Sequence, residues 1–194
     1  MRRLFASLVL LLAGLSPAVA QQVSVPTYYA SVLNLNTTVD ATDVLCLEGA
    51  AGKVVKLNGL FVAGTAAAAA TIDIMLLRRI TLNVGASNRI NATAGSPTSN
   101  PSAAALKLYT AVPTSLGAID VAPRGFAFRR NRWDISPTYS VPLGWPSIPL
   151  FAVDPYTAQP EIRSATSAIC LNYATVKTPV TTINLNVTWT ETDE

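Results

Sequence analysis

Lys53 to Arg79, KVVKLNGLFVAGTAAAAATIDIMLLRR, reads as two long extended arms joined by a small-residue link. Val55, Leu57 and Phe61 share one parity in the first arm, with Gly59 between them, while Ile72, Ile74 and Leu76 share the opposite parity in the second. An antiparallel hairpin closing over Gly64 to Ala69 pairs odd positions with even ones. Phe61 then meets Ile72, Gly59 meets Ile74, Leu57 meets Leu76, and both apolar sets fall on one face. Lys56, Asn58, Asp73 and Met75 would share the other face with Leu60, Val62 and Leu77, a mixed surface suited to packing or to a subunit contact. A slip of one residue would turn one arm inside out, so the register is expected to be well specified.

Working outward, further strand-like segments flank this stretch. Thr27 to Leu35 and Asp43 to Glu48 precede it; Ala103 to Thr110, Gly125 to Arg132, Ile148 to Val153 and Thr166 to Tyr173 follow. In Thr182 to Glu191, Ile183, Leu185, Val187 and Trp189 alternate strictly with Asn184, Asn186, Thr188 and Thr190, the pattern of a half-buried strand. Asn83 to Ser102 is a polar tract without periodicity and is expected to be a surface excursion. Between Trp133 and Pro160, prolines interrupt regular pairing while large aromatics accumulate.

Eight to ten strands and no amphipathic helix of useful length predict an all-β fold, an antiparallel β-sandwich of jelly-roll type, with a closed barrel as the alternative. A chain of 194 residues has room for one such domain. Met1 to Ala20 carries a basic start, a Leu-rich run and a small-residue cleavage site, the pattern of a secretory signal peptide. The expected organisation is residues 1–20 as signal, 21–42 as leader and first strand, and 43–194 as the sandwich. The mature protein is then secreted, periplasmic or extracellular, with no membrane span after cleavage.

Loss of Arg2 and Arg3 from the 14 Lys and Arg leaves 12 against 11 Asp and Glu, so the mature chain is nearly neutral. No basic cluster is long enough to track a phosphate backbone, which argues against nucleic acid as a partner. Cys46 and Cys170, an even pair in an exported chain, point to a disulfide; the alternative is two buried thiols acting as small hydrophobes.

The chain contains no histidine. This removes the commonest general base and zinc ligand, and with them the usual nucleophile pairs. No phosphate-binding, nucleophile-elbow or dinucleotide motif occurs, so no catalytic, cofactor-binding or metal residues are assigned. Paired carboxylates remain as a hydrolase option, with Asp73, Asp120, Asp134, Asp154 and Glu161 as candidates in no diagnostic spacing. Asp73, inside a strand, is explained without catalysis by a cross-strand Lys or Arg. Trp133, Trp145 and Tyr156, placed on loops, would stack on sugar rings if the protein is a secreted carbohydrate-binding module.

The order DVLCLEGAAGKVVKLNGLFVAGTAAAAATIDIMLLRR, a polar tract, AAALKLYTAVPTSLGAID and finally INLNVTWTETDE resembles a group of small β-sandwich structural proteins of tailed bacteriophages and prophages. That group comprises capsid or tail decoration and fibre-type components. The resemblance implies a non-enzymatic structural or attachment role without a cofactor, self-association as a homo-oligomer (a trimer), possible virion association, and a cell-surface or glycan partner.

Overall fold

The computed structural model describes residues 25–36, 42–66, 68, 70–96, 99–120, 129–135, 148–151, 160–173 and 181–194. Within them run twelve strands: β1 Thr27–Asn36, β2 Asp43–Glu48, β3 Lys53–Ala66, β4 Ala70–Arg79, β5 Ser87–Ile90, β6 Thr93–Ala94, β7 Ala105–Tyr109, β8 Arg129–Ile135, β9 Ile148–Phe151, β10 Glu161–Ile162, β11 Ala168–Tyr173 and β12 Thr181–Asp193. The surplus over eight to ten comes from short pieces such as β6 and β10, each of two residues. Two antiparallel six-stranded sheets result. In the first the order is β10-β3-β12-β1-β6, with β9 also on β3; in the second it is β5-β7-β2-β11-β4-β8. Eight of the strands interleave as β1-β12-β3-β9 and β2-β11-β4-β8, which is the jelly-roll arrangement. β1 belongs to the first sheet, between β12 and β6.

The arms that open the sequence reading do not pair with each other. β3 lies beside β12, with Leu57 opposite Trp189 and Phe61 opposite Asn186, whereas β4 lies in the other sheet, with Leu76 opposite Leu171. Alternation specifies a buried face and leaves open whether that face meets its partner edge to edge or across a core. Here the meeting is across the core: Leu57 and Leu60 from β3 and Leu76 from β4 line the same internal space.

Parity within β3 also departs from the expected odd-numbered inward set. Its register with β12 slips between Gly59 and Leu57, leaving Asn58 as the extra residue of a β-bulge. The bulge moves the inward set from odd to even positions. Val55, Leu57 and Leu60 are therefore buried, while Phe61 sits half-buried on the outer face. A comparable slip in β2 turns both Val44 and Leu45 inward and leaves Asp43 and Cys46 on the outer side of the second sheet.

The strict alternation of β12 is realised in full. Ile183, Leu185, Val187 and Trp189 are each at most 2% exposed, and each such burial contributes about 1.5–3 kcal/mol. Trp189 stacks on Tyr28 of β1 with ring centroids 5.8 Å apart. The polar tract Asn83–Ser102 is not a simple surface excursion. β5 pairs with β7 in the second sheet and β6 pairs with β1 in the first, so residues 87–94 carry the chain from one sheet edge to the other and close that flank.

Tyr173 sits in the core with its hydroxyl buried and unpartnered. Tyr173→Phe removes that uncompensated group and is expected to raise stability by about 1 kcal/mol, measured by urea titration.

Candidate functional site

Apart from Glu48, whose Oε2 pairs with Lys107 while its Oε1 has no hydrogen-bond partner, buried charge in the described residues gathers in two clusters, and both are internally satisfied. The first is on the outer side of the second sheet. Arg79 donates from Nε to Asp43 Oδ2 and from Nη2 to Asp43 Oδ1, both at 2.9 Å, and from Nη1 to the Gly117 carbonyl at 2.7 Å. Asn83 and Asn172 each donate to Asp43 at 2.8 Å, and Asn83 Oδ1 accepts from Gly117 N. Two-point contact between a guanidinium and a carboxylate is the geometry that suits buried charge. Antiparallel bridges Arg79↔Ile119 and Val84↔Ser115 hold residues 80–120 together beside this cluster.

Cys46 and Cys170 are opposite neighbours on β2 and β11 and form a disulfide, with Cα atoms 4.1 Å apart. Their sulfurs lie close to the Asp43 carboxylate, but both are committed to the S–S bond and the carboxylate to Arg79, Asn83 and Asn172. The donor set therefore does not fit a metal ion, because a cysteine ligates a metal as the free thiolate.

The second cluster surrounds Glu191, 4% exposed at the end of β12. Its carboxylate accepts from the Trp189 indole at 3.0 Å, from Ser102 Oγ, and from the backbone N–H groups of Ala103 and Ala104. Tyr28 Oη donates to the Asn100 carbonyl at 2.9 Å. Together these bonds fasten residues 100–104 over one end of the core.

Other carboxylates hold structural partners. Asp120 lies 3.2 Å from Arg78, Glu161 lies 3.0 Å from Arg163 and faces Lys56, and Glu48 pairs with Lys107 at 2.8 Å. Asp73 stands in register opposite Arg132, the cross-strand arrangement expected of it, and Asp134 stands opposite Thr71. Asp154 lies outside the described residues.

Of the loop aromatics, Trp133 is inside β8, in register with Ile72, and so is not on a loop. Trp145 and Tyr156 lie outside the described residues. No shared site for the three is described. A surface cleft of about 280 Å³ opens between the β5–β6 turn and residues 101–104. Arg89 braces its wall by donating to the carbonyls of Ser102 and Ala104 at 3.4 Å.

Sequence reasoning passed over the outer face of the first sheet. In β12 the outward positions from Thr182 to Thr190 are Thr, Asn, Asn, Thr and Thr, flanked in register by Thr27, Tyr29 and Ser31 of β1 and by Gly59 and Phe61 of β3. Asn186 Nδ2 donates to Ser31 Oγ at 3.2 Å, and Asn184 Oδ1 accepts from Asn34 N at 2.8 Å. That second bond holds Asn34 at φ 56° in the irregularity of β1 between Val32 and Leu35. The strict alternation of β12 was the available signal: it gives a polar face as surely as an apolar one.

Burial raises the pKa of Tyr109 to about 12, with the nearby Glu48 and Asp43 charges adding to the effect, and burial also raises that of Tyr173. An unfolded tyrosine loses its proton near pH 10, so above that pH the unfolded state binds fewer protons and stability falls. The melting temperature is expected to decline from about pH 10 and to keep falling through about pH 12, with Tyr109→Phe blunting the decline.

No family model, curated protein or solved structure matches this chain. No helix of the described residues is long and apolar enough to cross a membrane.

Proposed function

We propose that this is an exported, non-enzymatic jelly-roll protein that acts through its surface as a structural or attachment component, of the phage-like kind that the sequence resembles. The observation that carries the reading is the engagement of the buried carboxylates. Asp43 and Glu191 are held by hydrogen bonds that fasten chain segments to the sandwich, a stabilising use of groups that a hydrolase would keep available for substrate. The disulfide is compatible with an oxidising compartment and so supports export. Jelly rolls serve in both capsid and lectin domains, and a neutral, ordered sheet face suits either use.

Self-association is the property to measure. Light scattering on the mature protein after size exclusion is expected to show a closed homo-oligomer, a trimer on the phage-like reading. A strict monomer at high concentration would overturn the structural role.

A further inference from the structure

The outer face of the first sheet has three properties that together select a ligand. Its central stripe lacks formal charge: between Thr27 and Ser31 in β1, and between Thr182 and Thr190 in β12, the outward residues are Thr, Tyr, Ser and Asn, and the charges at its end, Lys56 opposite Thr190 and Glu161 opposite Lys56, pair with each other. Amide and hydroxyl groups run along its middle, with Ser31 and Asn186 already joined and Thr188 beside them. It also carries an aromatic ring on either side of the β12 stripe, each spread over a glycine.

Those rings are positioned by close packing. A Cβ built at Gly59 would lie 2.9 Å from the Phe61 ring, and one built at Gly95 would lie 2.9 Å from the Tyr29 ring. Only the missing side chains let the rings lie down, and Tyr29 remains 43% exposed. Tyr29 is in register with Thr188 and Gly59, Phe61 with Asn186 and Ser31. The two residues are thus separated by two strand spacings, about 10 Å, and by about 7 Å along the strands.

We infer that this face binds an uncharged glycan chain, with Tyr29 and Phe61 as stacking platforms and Ser31, Asn186 and Thr188 as hydrogen-bonding groups between them. A sugar ring presents an apolar C–H face to an aromatic ring and hydroxyls to amides and hydroxyls, and it needs no counter-charge. Nucleic acid and anionic lipid would need the Lys and Arg that the stripe lacks. The inference rests on the reading of the protein as a surface-acting attachment component and names the chemistry that it would attach to.

Calorimetric titration of the mature protein with cellohexaose, xylohexaose and chitohexaose, with polygalacturonate as a charged control, tests this. Saturable binding to at least one neutral hexasaccharide is expected, unaffected by added salt and with no binding of polygalacturonate. Affinity should fall about tenfold in Tyr29→Ala and again in Phe61→Ala. Asn186→Ala, an exposed change, serves as the independent variant should Phe61→Ala fail to fold, and it should weaken binding as well. Absence of binding to all three neutral sugars overturns the inference. So does binding that survives both Tyr29→Ala and Asn186→Ala, or light scattering showing that a second copy occupies the face through an assembly lost in Asn186→Arg. Assembly and sugar binding are read separately, so a monomer that binds sugar would overturn the structural role alone, and an oligomer formed elsewhere that ignores sugar would overturn the glycan inference alone.

Discussion

The Cys46→Ala/Cys170→Ala variant is expected to be about 5 kcal/mol less stable than the disulfide-bonded protein, with a melting temperature lower by about 10–20 °C. The bond closes a sequence separation of 124 residues, so the chain-entropy account places most of its effect on the unfolded state. In the folded state the two residues are already neighbours on hydrogen-bonded strands, and alanine at both positions leaves the β2–β11 ladder in place. Urea titration should show a lower midpoint and, because the released chain exposes more surface on unfolding, a steeper dependence on denaturant. Near-ultraviolet circular dichroism of the folded variant should be retained. A loss of less than about 1 kcal/mol would mean that the unfolded chain keeps these segments together without the bond.

Asp43→Ala is expected to cost about 3–5 kcal/mol by a different route, acting on the folded state. It leaves the Arg79 guanidinium, 4% exposed, with the Gly117 carbonyl and no carboxylate. It also takes acceptors from Asn83 and Asn172. The double variant Asp43→Leu/Arg79→Met removes both charges together and should recover much of the loss, since a buried pair is often replaceable by apolar groups of similar volume. Equilibrium urea unfolding of the single and double variants measures the coupling. Equal destabilisation in both would show that the hydrogen bonds of Asn83, Asn172 and Gly117, rather than the ion pair, carry the stability of that face.

The fold class was legible because burial imposes a period on each strand, and β12 displays that period without interruption. Which strand lies beside which was less legible. β3 and β4 have the alternation of a hairpin, yet they face each other across the core, and local pattern does not distinguish the two arrangements. The inward identity of Leu60 in place of Phe61 depends on one extra residue at Asn58, a bulge that exists only through pairing with β12. Ser87 to Ala94 lacks apolar alternation because its strands are short edge pieces, held by backbone bonds to β7 and β1. Burial of Asp43 and Glu191 was not legible either, since charged residues near strand ends usually face water. Candidate surface residues fared unevenly: Trp133 stood out by residue type, whereas Asn186 and Thr188 gained interest only from a position in the first sheet beside two rings lying over glycines.

The placement of β12 bears on when the fold can form. It is the central strand of the first sheet, with β1 on one side and β3 on the other, so these two strands are not joined in one sheet until Thr181 to Asp193 has been made. The Cys46–Cys170 bond likewise waits for late residues. With pairings of such high sequence separation, folding is slow, in the range of milliseconds to seconds. A nascent chain therefore lacks its completed first sheet for most of its synthesis, a state that suits the proposed export of an unfolded chain, with oxidation and sheet closure as late events.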